Sequence, residues 1–148
     1  MSAFKVNVVA RNPKREELST QPVSALVDTG SELTWLPADV LDSVGIKPRR
    51  KRMFATATQQ KVEREVGYAI LSAEGYETND EVVFAEPGDM TLLGVRTLDG
   101  FGVMVDNIAH RFVGTTTLAR HCLRPTRHAA PQGVSEPRAV ATGSNTNL

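Results

Sequence analysis

Short runs in which apolar and polar positions alternate dominate this chain, and each run is closed by turn-forming residues after four to ten positions. Such spacing predicts strands rather than long helices. Residues 4–10 alternate as one strand, and the polar, proline-bearing 11–16 read as a turn or long hairpin loop. A second strand is expected over 21–27, ending on the cluster Asp28-Thr29-Gly30-Ser31. Val40, Leu41 and Val44 have helical spacing before Gly45, which predicts a one- to two-turn helix between Pro37 and Val44. Residues 53–58 and 62–72, around the polar Gln59-Gln60-Lys61, read as a hairpin. Thr78-Asn79-Asp80 reads as a turn leading into a strand over 81–85. One helical turn is expected over 95–98, a strand over 102–106, and a last hairpin that includes 110–113. Many short strands at close spacing argue an all-β barrel or sandwich.

Composition limits what such a fold does. The chain has 148 residues, with 17 Lys and Arg against 17 Asp and Glu and a single Cys. Residues 123–148 contain Pro125, Pro131 and Pro137 and no aromatic, which predicts a disordered tail behind a folding unit of residues 1–122. A balanced charge gives no overall field for a polyanion, so no nucleic acid is expected as partner. Lys47-Pro48-Arg49-Arg50-Lys51-Arg52 is the one dense basic run, and it reads as a solvated loop. One cysteine closes no intrachain disulfide. With no secretory pattern at the start and no long apolar run, the expected compartment is the cytoplasm and no membrane partner is implied. His110, His121, His128 and Cys122 match no metal-ligand spacing, so neither a metal nor a cofactor is expected.

The charges are unevenly shared: residues 53–106 hold three basic and ten acidic side chains, and both flanks are basic. Within this background one segment carries chemistry. Leu26-Val27-Asp28-Thr29-Gly30-Ser31 places an acid just after an apolar strand, in a tight turn where glycine lets the backbone pass close to the carboxylate. Asp-Thr-Gly alone is a weak signal, since any turn may contain it.

A second segment changes its weight. The run from Ala25 to Pro37 resembles the active-site signature of the aspartic proteases, and Leu92-Leu93-Gly94-Val95-Arg96-Thr97-Leu98 resembles their second signature. The separation of Asp28 from Gly94 suits the small retropepsin-like type, which includes retroviral proteases and bacterial relatives. The resemblance covers about residues 4–122. It implies an all-β, closed β-barrel-like protomer with one or two short helices, forming a homodimer whose flexible hairpin, the flap, closes over a peptide or unfolded protein substrate.

The chemistry of that family explains why one Asp-Thr-Gly is insufficient in one chain. One carboxylate must take a proton from the attacking water while another, protonated, polarises the scissile carbonyl. Two carboxylates at close range share one proton because both cannot ionise comfortably. Asp99-Gly100 and Asp106-Asn107 lack the threonine and glycine setting and read as turns, so a two-fold axis must supply the second Asp28.

By resemblance, Asp28, Thr29 and Gly30 form the catalytic loop: Thr29 hydrogen-bonds across the axis and Gly30 offers its N–H to the carboxylate. Ser31 is assigned to the surrounding shell and counted among the substrate-binding residues, and Leu92, Leu93 and Gly94 pack beneath the loop. The flap maps to residues 54–62, where Thr56, Ala57 and Thr58 are the expected substrate-binding positions. It lacks the glycines of retroviral flap tips, which keeps open an alternative: a catalytically weak or inactive peptide-binding or dimerisation module on the same fold. Trp35 is assigned to packing behind the catalytic turn, and 115–119 is the candidate interface strand.

Overall fold

The computed structural model describes residues 3–125, so the expected tail over 123–148 lies almost wholly outside the described residues. The chain separates into two units, Met1–Thr115 and Thr116–Leu148. The described part of the second unit, residues 116–125, has no helix or strand and is exposed. The candidate interface strand over 115–119 therefore has no regular structure in the single chain.

The first unit contains ten strands and two short helices in the order β1 (Lys5–Asn12), β2 (Arg15–Ser19), β3 (Val23–Val27), β4 (Thr34–Pro37), α1 (Ala38–Ser43), β5 (Arg50–Ala55), β6 (Lys61–Ala73), β7 (Tyr76–Ala85), β8 (Leu92–Leu93), α2 (Val95–Phe101), β9 (Val103–Asp106) and β10 (Arg111–Gly114). The all-β expectation with short helices holds. Eight strands share one sheet in the order β2-β1-β3-β8-β4-β7-β6-β5, and an extra β1–β6 pairing joins its two halves into a ring. Strands β9 and β10 form a separate antiparallel hairpin. No described helix is long and apolar enough to cross a membrane.

The alternation read from the sequence becomes burial. Val6, Val8 and Ala10 of β1 face the core while Lys5 and Asn7 are exposed, because successive side chains leave a strand on opposite faces. Strand β7 differs: residues 80–85 are buried on both faces. Val82 and Phe84 join the main core, and Val83 joins a smaller cluster with Leu33 and Val66. A strand covered on both sides reads as a continuous apolar run, which explains Val82-Val83-Phe84-Ala85.

The turn or hairpin loop expected after β1 is present, tightened by the Asn12 side chain, which accepts the N–H groups of Lys14 and Arg15, and it leads into β2, a strand the pattern did not mark. Three expectations are corrected. Thr78-Asn79-Asp80 is strand, not turn. The chain reverses at Glu74-Gly75, where both residues take positive φ (53° and 86°), so that 78–80 pair with 69–71 of β6. The basic run is not all solvated loop, because Arg50-Lys51-Arg52 opens β5 and two of its arginines reach a buried carboxylate. In addition, Asp99-Gly100 lies within α2 rather than in a turn, while Asp106 does cap a turn by accepting the N–H groups of Ile108 and Ala109.

Candidate active site

Strands β3 and β8 lie side by side and parallel, pairing Leu26 with Leu92 and Val27 with Leu93. The two segments singled out in the sequence are thus neighbours in space. The chain leaves β3 at Asp28, whose N–H donates to the Leu93 carbonyl at 2.9 Å, so the start of the loop is tied to the second segment. The Asp28 carbonyl then accepts the Ser31 N–H at 3.1 Å, closing the turn. Inside it the Gly30 N–H donates to Asp28 Oδ1 at 2.9 Å. A Cβ at Gly30 would sit 3.3 Å from that same oxygen, tighter than side chains normally pack, so the loop favours glycine there.

Asp28 is half-buried, and Thr29 and Gly30 are exposed in the single chain. Ser31 spends its hydroxyl on the Leu33 carbonyl at 3.1 Å. Leu93 is fully buried, consistent with a residue that packs rather than reacts. Gly94 admits no side chain, because a Cβ would collide with the Leu33 carbonyl. Helix α2 then starts against the same loop: the N–H groups of Val95 and Arg96 donate to the carbonyls of Ser31 and Glu32 at 2.8 and 3.0 Å. These are donors that a helix start leaves without partners of its own.

Behind the loop runs a chain of hydrogen bonds that sequence reasoning missed. The Gly94 N–H donates to Thr34 Oγ1 (2.9 Å), Thr34 and Thr97 hydroxyls meet at 2.7 Å, and Thr97 Oγ1 donates to Asp80 Oδ2 at 3.1 Å. Because Thr97 gives its proton to Asp80, Thr34 must donate to Thr97, and the dipoles align from Gly94 to the carboxylate. Thr34, Thr97 and Asp80 are all buried. A polar residue at an apolar-patterned position, Thr34 before Trp35-Leu36, was the available signal.

Next to Asp80, Glu81 is held by three arginines: Arg50 at 2.8 Å, Arg52 at 3.1 Å and Arg96 at 3.3 Å. Burial pushes the Glu81 carboxyl up. The hydrogen-bonded Arg50 guanidinium and the charges of Arg50, Arg52 and Arg96 outweigh that, and the carboxyl lies below the usual value.

The segment expected as the flap forms a hairpin of β5 and β6, with Phe54 opposite Val62 and Ala55 opposite Lys61. Thr56, Ala57 and Thr58 are exposed at its tip. Thr56 is used within the turn: its N–H donates to the Gln60 carbonyl, its carbonyl accepts the Gln59 N–H, and its hydroxyl accepts the Gln60 N–H. Gln59 takes φ 67°, a conformation that glycine usually fills. Just behind the turn, Phe54 packs edge-on against Trp35 with ring centroids 5.1 Å apart. Trp35 thus links β4, which follows the Asp28 loop, to the β5–β6 hairpin. No hydrogen bond among the described residues joins Thr56, Ala57 or Thr58 to Asp28. His128 lies outside the described residues, among which no three His, Cys, Asp or Glu side chains gather to hold a metal.

Residues 17–99, more than half of the chain, match the family described as "gag-polyprotein putative aspartyl protease". The chain belongs to this family. The matched span includes both signatures and the flap hairpin, and the retropepsin-like resemblance is thereby shown. Among solved structures, a foamy viral protease–reverse transcriptase in complex with double-stranded DNA is similar at 17% identity and a TM-score of 0.45. That match covers 65% of this chain and only 15% of the viral one. A retropepsin-like aspartic protease from Rickettsia conorii is similar at 20% identity and a TM-score of 0.42, covering 70% of this chain and 84% of that one. No curated protein matches the chain.

Proposed function

We propose that the protein is an aspartic endopeptidase that acts as a homodimer, with Asp28 and its copy across a two-fold axis as the catalytic pair. The observation that carries this reading is the state of Asp28. It stands on a loop held by Leu93, Val95 and the Gly30 N–H, half-exposed beside an exposed Thr29, and it forms no salt bridge among the described residues. One such carboxylate supplies one proton-transfer group, and the reaction needs two in opposite protonation states. A two-fold axis at the exposed edge of the loop provides the second.

In this reading one Asp28 takes a proton from the attacking water, and the other, protonated, hydrogen-bonds the scissile carbonyl oxygen. The water oxygen adds to the carbonyl carbon. The tetrahedral species then collapses as a proton passes to the leaving nitrogen. Thr29 braces the two loops across the axis, Gly30 holds the carboxylate in plane, and Ser31 fixes the loop's far end. No cofactor is required. At the flap, Thr56 holds the turn, which leaves the backbone groups of Ala57 and Thr58 to pair with an extended peptide as an added strand does. The cytoplasm remains the expected compartment, on the single free Cys122.

The test is Asp28→Asn. Cleavage of an unfolded protein or peptide library, and its inhibition by statine-type mimics, should disappear while fold and dimer persist. Surviving activity would overturn the reading. The glycine-poor flap, with Gln59 at positive φ, favours a second reading as a peptide-binding module that does not turn over. Peptide binding by calorimetry with no product by mass spectrometry from about pH 4 to 7 would select it.

A further inference from the structure

The basic run singled out in the sequence divides in the structure, and the part left over lines a groove. Arg50 and Arg52 are matched by Glu81. Arg49, one residue earlier, has no carboxylate within 4.0 Å among the described residues, and neither has Lys14 of the β1–β2 turn. Two adjoining hollows of about 230 and 520 Å³ share Pro13, Lys14, Arg49 and Tyr68 as walls. Across both, the lining holds five cationic side chains; Arg15 and Lys47 are paired with Glu17 and Asp42, and Arg96 with Asp80 and Glu81, which leaves Lys14 and Arg49 as the two unmatched cations. The two lining carboxylates, Asp80 and Glu81, are buried and already paired with arginines.

The groove is firmly built. Asn12, itself buried, donates from Nδ2 to the Val44 carbonyl at 2.9 Å and accepts the Lys14 N–H through Oδ1 at 2.8 Å, fixing the lysine's turn to the end of α1. A Cβ at Gly45 would stand 3.1 Å from that Nδ2. Arg49 is fixed from the other side, its N–H donating to the Val66 carbonyl at 2.7 Å. Its guanidinium lies 5.7 Å from the ring centre of Tyr68, which is 47% exposed. An aromatic face, two unmatched cations and the apolar Pro13 thus meet on one surface, with the buried Ile46 beneath it.

We infer that this groove binds an acidic peptide segment, with carboxylates at Lys14 and Arg49 and an apolar side chain on Tyr68. A polynucleotide fits less well. Its affinity rests on many phosphates neutralised together, whereas this groove offers two unmatched cations, one aromatic ring and a far end walled by Asp80 and Glu81. An extended peptide, with side chains alternating every ~3.3 Å, sets carboxylates and apolar groups at the spacing that such a mixed surface accepts.

The test uses the full chain carrying Asp28→Asn, so that binding is read without cleavage and independently of the peptidase reading. A fluorescein-labelled glutamate-rich peptide containing leucines is titrated by fluorescence anisotropy at low salt, with a lysine-rich peptide and a single-stranded oligonucleotide as competitors. The expected result is saturable binding that weakens with salt, roughly tenfold in Lys14→Glu/Arg49→Glu and about threefold in Tyr68→Ala. It should be unchanged in Lys51→Glu, whose site lies on β5 outside the groove. All three groove side chains are exposed, so melting temperatures should hold, and Lys14→Gln/Arg49→Gln replaces the reversal if it does not fold. Absence of binding, equal affinity in the groove variants, preference for the lysine-rich peptide or stronger displacement by the oligonucleotide would each overturn the inference.

Discussion

Two acidic sites lie on either side of the β8–α2 segment, and their surroundings are opposite. Asp80 and Glu81 are buried, and every charge is answered: Thr97 and Arg96 for Asp80, three arginines for Glu81. Asp28 is half-buried, is met by one backbone N–H at its carboxylate, and stands beside exposed neighbours. A carboxylate removed from water must be fully compensated, and once compensated it has no capacity left for a substrate. In the proposed function, the difference separates an acid that holds the fold from one kept available for chemistry. The relay from Gly94 through Thr34 and Thr97 to Asp80 connects the two.

The comparison breaks most visibly at Asp28. Asp28→Asn should lower peptidase activity by roughly a thousandfold or more while shifting the melting temperature by only a degree or two, since it removes no buried pair. A large loss of stability would make Asp28 structural and dissolve the contrast.

Glu81→Ala should do the reverse. It leaves Arg50, Arg52 and Arg96 facing one another without their anion. The cost is about 2 kcal/mol in chemical denaturation, below that of a fully buried pair because Arg50 and Arg96 are 56% and 44% exposed. Peptidase activity, measured where the variant is folded, should stay within a few-fold.

The same carboxylate sets a pH dependence. Glu81 has a folded value below the unfolded 4.5, so its contribution is fully present above about pH 4.5 and is lost as pH falls through the lower folded value. Asp89 adds to this loss, since the Arg64 side chain that hydrogen-bonds it lowers its value as well. Denaturation midpoints should therefore drop on acidification, and Glu81→Gln should flatten the curve. An identical curve in that variant would assign the acid sensitivity elsewhere.

Thr97→Val is the finest cut, replacing the central hydroxyl of the relay by a methyl of similar size. A stability loss of about 1–2 kcal/mol is expected, because Asp80 and Thr34 lose a buried partner. If the relay also positions the catalytic loop, kcat should fall while KM holds, whereas a purely structural role would leave both unchanged in the folded variant.

Much of this was legible in the residues. Alternation located β1 and β3, Gly45 ended α1, and the flap hairpin was placed around Gln59-Gln60. Asp28-Thr29-Gly30 and Leu92-Leu93-Gly94 were marked as one site because both patterns occur together, and β3 and β8 do pair. What was misread shares a cause. Asn79, Asp80 and Arg50 have turn or solvent preferences that act over a few residues, and those preferences lost to partners far away in the chain. Asp80 lies in a strand because Thr97 and Arg96 receive its charge, and Arg50 and Arg52 extend β5 where Glu81 awaits them.

The sequence by itself determined the all-β class and, through its resemblance to the aspartic proteases, marked Asp28 as the candidate reactive acid; by offering only one such acid, it implied a second copy in the proposed chemistry. These follow from local pattern and from the proton count of the reaction. Only the tertiary structure decided which charges are spent and which are free: Glu81 consumed by three arginines, Asp28 left half-open, Lys14 and Arg49 gathered unmatched around Tyr68. Pairing between charges depends on distance in space, and residues such as Arg50 and Glu81 approach each other only after the strands between them have folded.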